Sequence, residues 1–370
     1  MVRQSVPLAA LLASLLAGCS ASNDALDARL ARDELALEQQ LESLEERARE
    51  GDAAAAYELA ARFYDGLGVE ADHPRAARYY GQAADAGIAG AQFSLGVLHE
   101  NGDGVIQDAN RAAEWYSLAA RAGDVRAQTN LGVMLAEGRG IPVDAQAAAR
   151  YLKAAAVGGH APGQVAFGVL LLGGHGVERD PAAAIEWFEE AARVGHPEGQ
   201  LRLSRALRAG VGGSPDEAAA TEWLTRAARA GSTEAMAELG IELAKGDPEA
   251  GLPWITRAAD KGSPRAHMAL AFMALRGQGM AADEARAARS FLAAAERGLR
   301  PAQTRMGLML EQGRGVPAPD AEAALLWFLV ASNRGDDVAS AGVERTEAAL
   351  SPAAVTRVRR AAQEWKPVVD

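Results

Sequence analysis

One cysteine in 370 residues removes several chemistries at once. No disulfide framework, iron–sulfur cluster or Cys-rich zinc site can be assembled from a single thiol. Aromatic residues make up only 5% of the chain. Basic residues are outnumbered, 38 Lys plus Arg against 49 Asp plus Glu, and the net charge of −11 opposes nucleic-acid binding through a broad basic surface. No run of eighteen apolar residues occurs, so no segment is long enough to span a bilayer as a helix. What remains is 49% apolar and 24% charged, an ordinary globular balance that excludes general disorder. The chain is rich in Ala, Gly and Arg, which points to helices or to several small domains.

The lone cysteine closes an N-terminal leader. Arg3 supplies a positive start, Val6 to Leu16 an apolar stretch broken only by Pro7 and Ser14, and Leu16-Ala17-Gly18-Cys19 follows directly. An ordinary secretory signal with an incidental cysteine is the competing reading. The arrangement resembles the bacterial lipoprotein signal, in which cleavage precedes a cysteine whose thiol carries diacylglycerol. That resemblance implies a signal peptide over 1–18, lipidation of Cys19 and attachment to a membrane through acyl chains. Ser20 in place of Asp implies the outer membrane, periplasmic side. Residues 19–50 then form a lipidated N-terminus and an acidic amphipathic helix. Leu26, Leu30, Leu37, Leu41 and Leu44 fall on one stripe. A free coiled-coil spacer and a helix packed on the folded body both fit; the break at Glu34 and the short heptad run favour packing.

From residue 51 the chain repeats. A glycine closes an Ala-rich segment at Gly51, Gly87, Gly123, Gly158, Gly195, Gly231, Gly262, Gly298 and Gly335. Eight units of 31 to 37 residues therefore fill 51–335. One unit serves for all. Ala91-Gln92-Phe93-Ser94-Leu95-Gly96-Val97-Leu98-His99 has helical spacing, and Gly96 removes a side chain where a neighbouring helix must come close. Gly102-Asp103-Gly104-Val105 ends that helix. Asp108, like Asp144, Asp180 and Asp320, is placed to cap the second helix, which buries Ala112, Trp115, Tyr116 and Ala119 before Gly123 stops it. Helices this short are marginal alone and must be stabilised by stacking hairpin on hairpin.

These residues resemble the Sel1-like repeat, a relative of the tetratricopeptide repeat, most completely over 91–123, 127–158, 163–195 and 302–335. The resemblance implies an all-α fold: a right-handed α-solenoid of about eight helix-turn-helix repeats with an N-terminal helix and a capping helix within 336–370. Leu350-Ser351-Pro352 marks the start of that cap, and Arg357, Arg359 and Arg360 are expected to face water. Two units depart from the pattern. The fifth has Ser204 for glycine and the loop Gly210-Val211-Gly212-Gly213. The sixth is five residues short and reads Gly246-Asp247-Pro248, which predicts a tighter turn and altered curvature, or simply a neutral loop deletion.

Signatures of catalysis are missing. Gly66-Leu67-Gly68, Gly138-Arg139-Gly140 and Gly313-Arg314-Gly315 lack the strand before and helix after that a phosphate loop needs, and their recurrence makes them structural turns. No Gly-x-Ser-x-Gly elbow, His-Glu-x-x-His pair or Walker lysine is present. His99 takes a core position, while His160 and His196 occupy equivalent inter-repeat loops without a third metal ligand. No catalytic residue, metal or cofactor is expected. Trp and Tyr recur at packing positions rather than as a carbohydrate platform.

The expected functional surface is the concave face, lined by first helices. Two before, two after and five after each Leu-Gly leucine stand Phe93, Val97 and Glu100; Thr129, Val133 and Ala136; Val165, Val169 and Leu172; Leu201, Arg205 and Arg208; Ala237, Ile241 and Ala244; Met268, Phe272 and Leu275; Thr304, Leu308 and Glu311. The partner groove is assigned to Phe93, Val97, Val133, Val169, Arg205, Arg208, Ile241, Phe272 and Leu308: largely apolar, with a cationic point at the two arginines. The alternative is that the two-after position is core. The chain is thus expected to be a non-catalytic scaffold that binds a protein or peptide and no nucleic acid. Similar lipoproteins imply assembly roles, including exopolysaccharide secretion. An envelope enzyme or ligand-binding protein acting on peptidoglycan or β-lactams is the other reading, although the relatives behind it are stapled by disulfides.

Overall fold

The computed structural model describes residues 37, 39–332 and 336–368. The leader, Cys19 and Gly335 lie outside the described residues. Every regular element among the described residues is an α-helix, and no helix there is long and apolar enough to cross a membrane. The chain divides into two compact units at Arg179.

The first unit contains α1 (39–49), α2 (Ala53–Asp65), α3 (His73–Asp85), α4 (Ala89–Asn101), α5 (Ala109–Arg121), α6 (Val125–Glu137), α7 (Ala145–Val157) and α8 (Ala161–Gly173). Here α1 packs on the folded body: Leu44 and Ala48 are buried, and Glu45 pairs with Arg75 of α3 at 2.6 Å. The second unit contains α9 (Pro181–Arg193), α10 (Pro197–Ala209), α11 (Glu217–Arg229), α12 (Thr233–Gly246), α13 (Pro248–Asp260), α14 (Pro264–Arg276), α15 (Glu284–Glu296), α16 (Arg300–Gln312), α17 (Ala321–Ser332), α18 (Asp337–Ala348) and α19 (Pro352–Glu364). Within each unit, successive helices pack antiparallel as hairpins, and each hairpin leans on the next.

The local code is nearly uniform. Aspartates 72, 108, 144, 180, 216, 247, 283 and 320 each accept backbone N–H bonds at the start of a second helix, twice the number singled out from sequence. Within a hairpin, a Cβ on Gly96 would lie 2.6 Å from the Tyr116 ring, and one on Gly132 would lie 2.6 Å from Leu152. Ser204, the fifth unit's departure, is fully buried and donates to the Ala220 carbonyl at 2.7 Å, so its hydroxyl is satisfied where glycine is usual.

Two contacts between hairpins escape a reading of periodicity. At Gly104, Gly140, Gly176, Gly279 and Gly315 the second glycine of a Gly-x-Gly loop adopts positive φ and also rests on backbone at the first turn of the preceding second helix. Gly140 meets the Ala109 carbonyl and Gly176 that of Ala145, so any side chain would overlap it. The loops are therefore inter-repeat joints as well as turns. In addition, Gln92, Gln128, Gln200 and Gln303 donate to the penultimate carbonyls of preceding second helices, Ala84, Ala120, Ala192 and Ala295, at 3.1 to 3.3 Å. These are carbonyls a helix end leaves without an intrahelical partner. The Ala-Gln pair was visible in the sequence, but its job was not.

In the short sixth unit one residue does the work of a loop. Asp247 both ends α12, its N–H donating to the Leu243 carbonyl, and caps α13 by accepting from Glu249 and Ala250. Close approach of α12 and α13 follows, with Gly251 seated against Gly240 and Ala244. At the C-terminus two helices stand where one was expected. Ser351 caps α19 and Pro352 opens it. Val358 and Ala362 cover Leu325 and Leu329, while Trp365 meets Trp327 edge-on at 6.0 Å. Arg357, Arg359 and Arg360 are at the surface, paired with Glu322, Glu347 and Glu364.

Candidate partner-binding surface

The first helices present the residues assigned from sequence to a groove. The position two after the Leu-Gly leucine holds Val97, Val133 and Val169 in the first unit and Arg205, Ile241, Phe272 and Leu308 in the second. None of the seven is buried, and six are apolar. Val97, Ile241, Phe272 and Leu308 rest partly on core, and Val169 is 36% exposed. The position two before behaves differently. Thr129, Val165, Leu201, Ala237 and Thr304 are buried, whereas Phe93 and Met268 stay half-buried. Thr129 and Thr304 show why: they hydrogen-bond to His160 and Asp336, the cap residues of α8 and α18, each at 2.7 Å. The next hairpin covers that position and leaves the two-after position open.

The expected cationic point is not a free charge. Arg205 pairs with Glu234 at 2.7 Å and with Glu238, and Arg208 pairs with Glu217 and Glu242, both at 2.8 Å. Burial works against the Arg205 cation, but its bonds to Glu238 and Glu234 outweigh that and raise its pKa. The three α12 glutamates lie four residues apart, on one helical stripe facing α10. Their spacing was legible; their pairing across hairpins was not.

Two concavities were missed from sequence. On the first-helix face of the first unit, Tyr64, Tyr80, Phe93, Ser94, Val97 and Leu98 line a pocket of about 170 Å³. A larger groove, about 1030 Å³, lies instead between the second helices α5 and α7, with Leu118, Ile141, Val143 and Tyr151 in its walls. Val143 is 63% exposed there.

Two histidines serve the backbone. His99 is buried, with Nδ1 3.4 Å from the Ile106 carbonyl oxygen. His196 caps α10, its Nδ1 accepting from the Gly199 N–H at 3.2 Å. Desolvation lowers the His196 pKa, partly offset by Glu198. The neutral ring is the capping form, so its contribution is complete above the unfolded value of about 6.5 and is lost as pH falls through the lower folded value. Between pH 7 and pH 5, wild type should lose about 1–2 °C more in melting temperature than His196→Asn, which keeps an acceptor but does not titrate. Parallel losses in the two proteins would show that His196 is not the titrating cap. Among the described residues, no group of three or more His, Cys, Asp or Glu is placed to hold a metal ion.

The pattern of hairpins, caps and loops coincides with one family. The Sel1 repeat matches eight consecutive segments: 53–88, 89–124, 125–160, 161–196, 197–232, 233–263, 264–299 and 300–336. The chain belongs to the Sel1 repeat proteins. The match includes the 31-residue sixth unit, so the shortened loop is a variant of the repeat rather than a break in it. Among solved structures, a Sel1 repeat protein from Oxalobacter formigenes is 29% identical, covering 83% of this chain and 91% of its own, with a TM-score of 0.63. A protective antigen with the same type of fold, from uropathogenic Escherichia coli, is 26% identical over 88% of this chain and 79% of its own, with a TM-score of 0.48. No curated protein matches. Sel1 repeat proteins are generally protein–protein interaction scaffolds and typically non-catalytic.

Proposed function

We propose that this Sel1 repeat protein is a non-catalytic scaffold, held on the periplasmic side of the outer membrane by acyl chains on Cys19, that binds a partner protein along its first-helix face. One observation carries the binding surface: the two-after position is open in the seven first helices from α4 to α16 and apolar in six. Repeated apolar side chains that stay accessible on a rigid helical frame offer a partner ordered anchor points, so little conformational entropy is lost on binding. The anchor rests on Leu16-Ala17-Gly18-Cys19 and on the absence of any other cysteine.

Two measurements test the two halves separately. A photo-crosslinking side chain at Val169 or Phe272, in cells, should capture one discrete partner, while the same label at Lys153 should not. Equal or absent capture at all three sites overturns the groove. Cys19→Ala should abolish lipid labelling and release the protein from membranes into the periplasmic fraction. Unchanged membrane retention overturns the anchor.

A further inference from the structure

We infer that the pocket walled by Tyr64, Tyr80 and Phe93 receives one basic side chain, arginine or lysine, of the protein partner. The inference rests on the proposed partner-binding role of the first-helix face and adds to it the chemistry of one contact. The pocket's volume of about 170 Å³ admits a single long side chain and excludes a whole peptide segment. Half-buried Val97 supplies apolar wall for an aliphatic stem, and the half-buried Tyr64 and Phe93 rings, the latter with Arg126 on one face, are the aromatic walls open to a cationic head. This unit already uses that geometry internally. The Arg126 guanidinium lies 4.1 Å over the Phe93 ring, and the Arg75 guanidinium lies 4.1 Å over Phe63.

Charge points the same way. The Asp103 carboxylate lies near enough to the Tyr64 phenol to raise its pKa, and Asp65 follows Tyr64 in α2. Neither carboxylate has an ion-pair partner among the described residues, although neighbouring acids do: Glu58 with Arg62, Glu100 and Glu137 with Arg139, Asp124 with Arg126. Arg139, the nearest loop arginine in sequence to this face, is therefore already engaged. The Tyr64 phenol is held above its ordinary pKa, by desolvation first and then by Asp103 and Asp65. Acidic groups thus gather beside a ring-walled cavity whose own lining holds no basic residue, Arg126 covering only one face of Phe93. A basic occupant would gain attraction from both carboxylates, an apolar one would gain none, and an acidic one would be repelled.

The test uses the full chain and three capped pentapeptides, Gly-Gly-X-Gly-Gly with X as arginine, citrulline or norleucine. Binding is followed through the Ser94 and Val97 amide resonances. The arginine peptide should shift both saturably, weakening as salt rises, and citrulline should bind about tenfold more weakly because it keeps the shape but loses the charge. Asp103→Asn should weaken arginine binding about threefold or more with an unchanged melting temperature. Norleucine binding as tight as arginine, no saturable shift, or an unaffected Asp103→Asn would overturn the assignment. A partner captured from Val169 and Phe272 without arginine-dependent shifts refutes the pocket and spares the scaffold. Arginine binding without any captured partner refutes the scaffold as the source of that side chain.

Discussion

Leu239→Asp should lower the melting temperature by about 10 °C or more, or split a low-temperature transition from the unfolding curve. Leu239 is 3% exposed on α12 and shares a cluster with Leu201, Leu224, Ile255 and Leu270, which come from both neighbouring hairpins as well as its own. An aspartate there has no cation beside it and must either stay ionised in an apolar interior or take up a proton. Either course costs several kcal/mol, a large part of the roughly 5–15 kcal/mol that holds an ordinary domain together. In a stack of repeats the loss spreads, because each hairpin owes its stability to the interfaces on both sides. Leu239→Ala, which removes volume without adding charge, should cost less, about 2–5 kcal/mol. Circular dichroism melts of the three proteins provide the check. A Leu239→Asp curve that overlays wild type would show that the register of the sixth repeat has been misassigned.

Gly251→Ala should be nearly as damaging, with a fall of about 5–10 °C, although it adds one methyl group to a helix and improves helix propensity. That methyl would overlap the Gly240 carbonyl and lie 2.7 Å from the Ala244 Cβ. Both obstacles belong to α12, which cannot retreat because Asp247 ties the end of α12 to the start of α13 with no loop between them. Gly246→Ala is the matched control. Gly246 is the last residue of α12 and lacks positive φ, and a methyl group added there would meet nothing within 4 Å. There the propensity gain is unopposed, and stability should be unchanged or raised by about 0.5–1 kcal/mol. Equal effects of the two substitutions would contradict the close seam.

Much of this architecture was legible because it is local. A glycine at most helix crossings, an aspartate before each second helix and a proline after Ser351 act within a few residues of themselves, and the recurrence of the first two multiplies the signal. What escaped notice lies between repeats. Gln92 had no role in the sequence pattern, and its amide meets the Ala84 carbonyl of the preceding repeat. Arg205 and Arg208 read as a cationic point because the glutamates that pair with them stand in the next repeat. The pocket beside Tyr64 draws its walls from α2, α3 and α4, so no single repeat contains it.

The sequence by itself determined the hairpin: its period, its caps, the small residue at its crossing and the apolar face it must hide, since each depends on contacts a few residues or one turn away. The tertiary structure alone decided which of those residues stay open to a partner and which charges remain unpaired. Exposure and charge compensation are set by neighbouring hairpins, which lie about one repeat distant along the chain and only ångströms away in space.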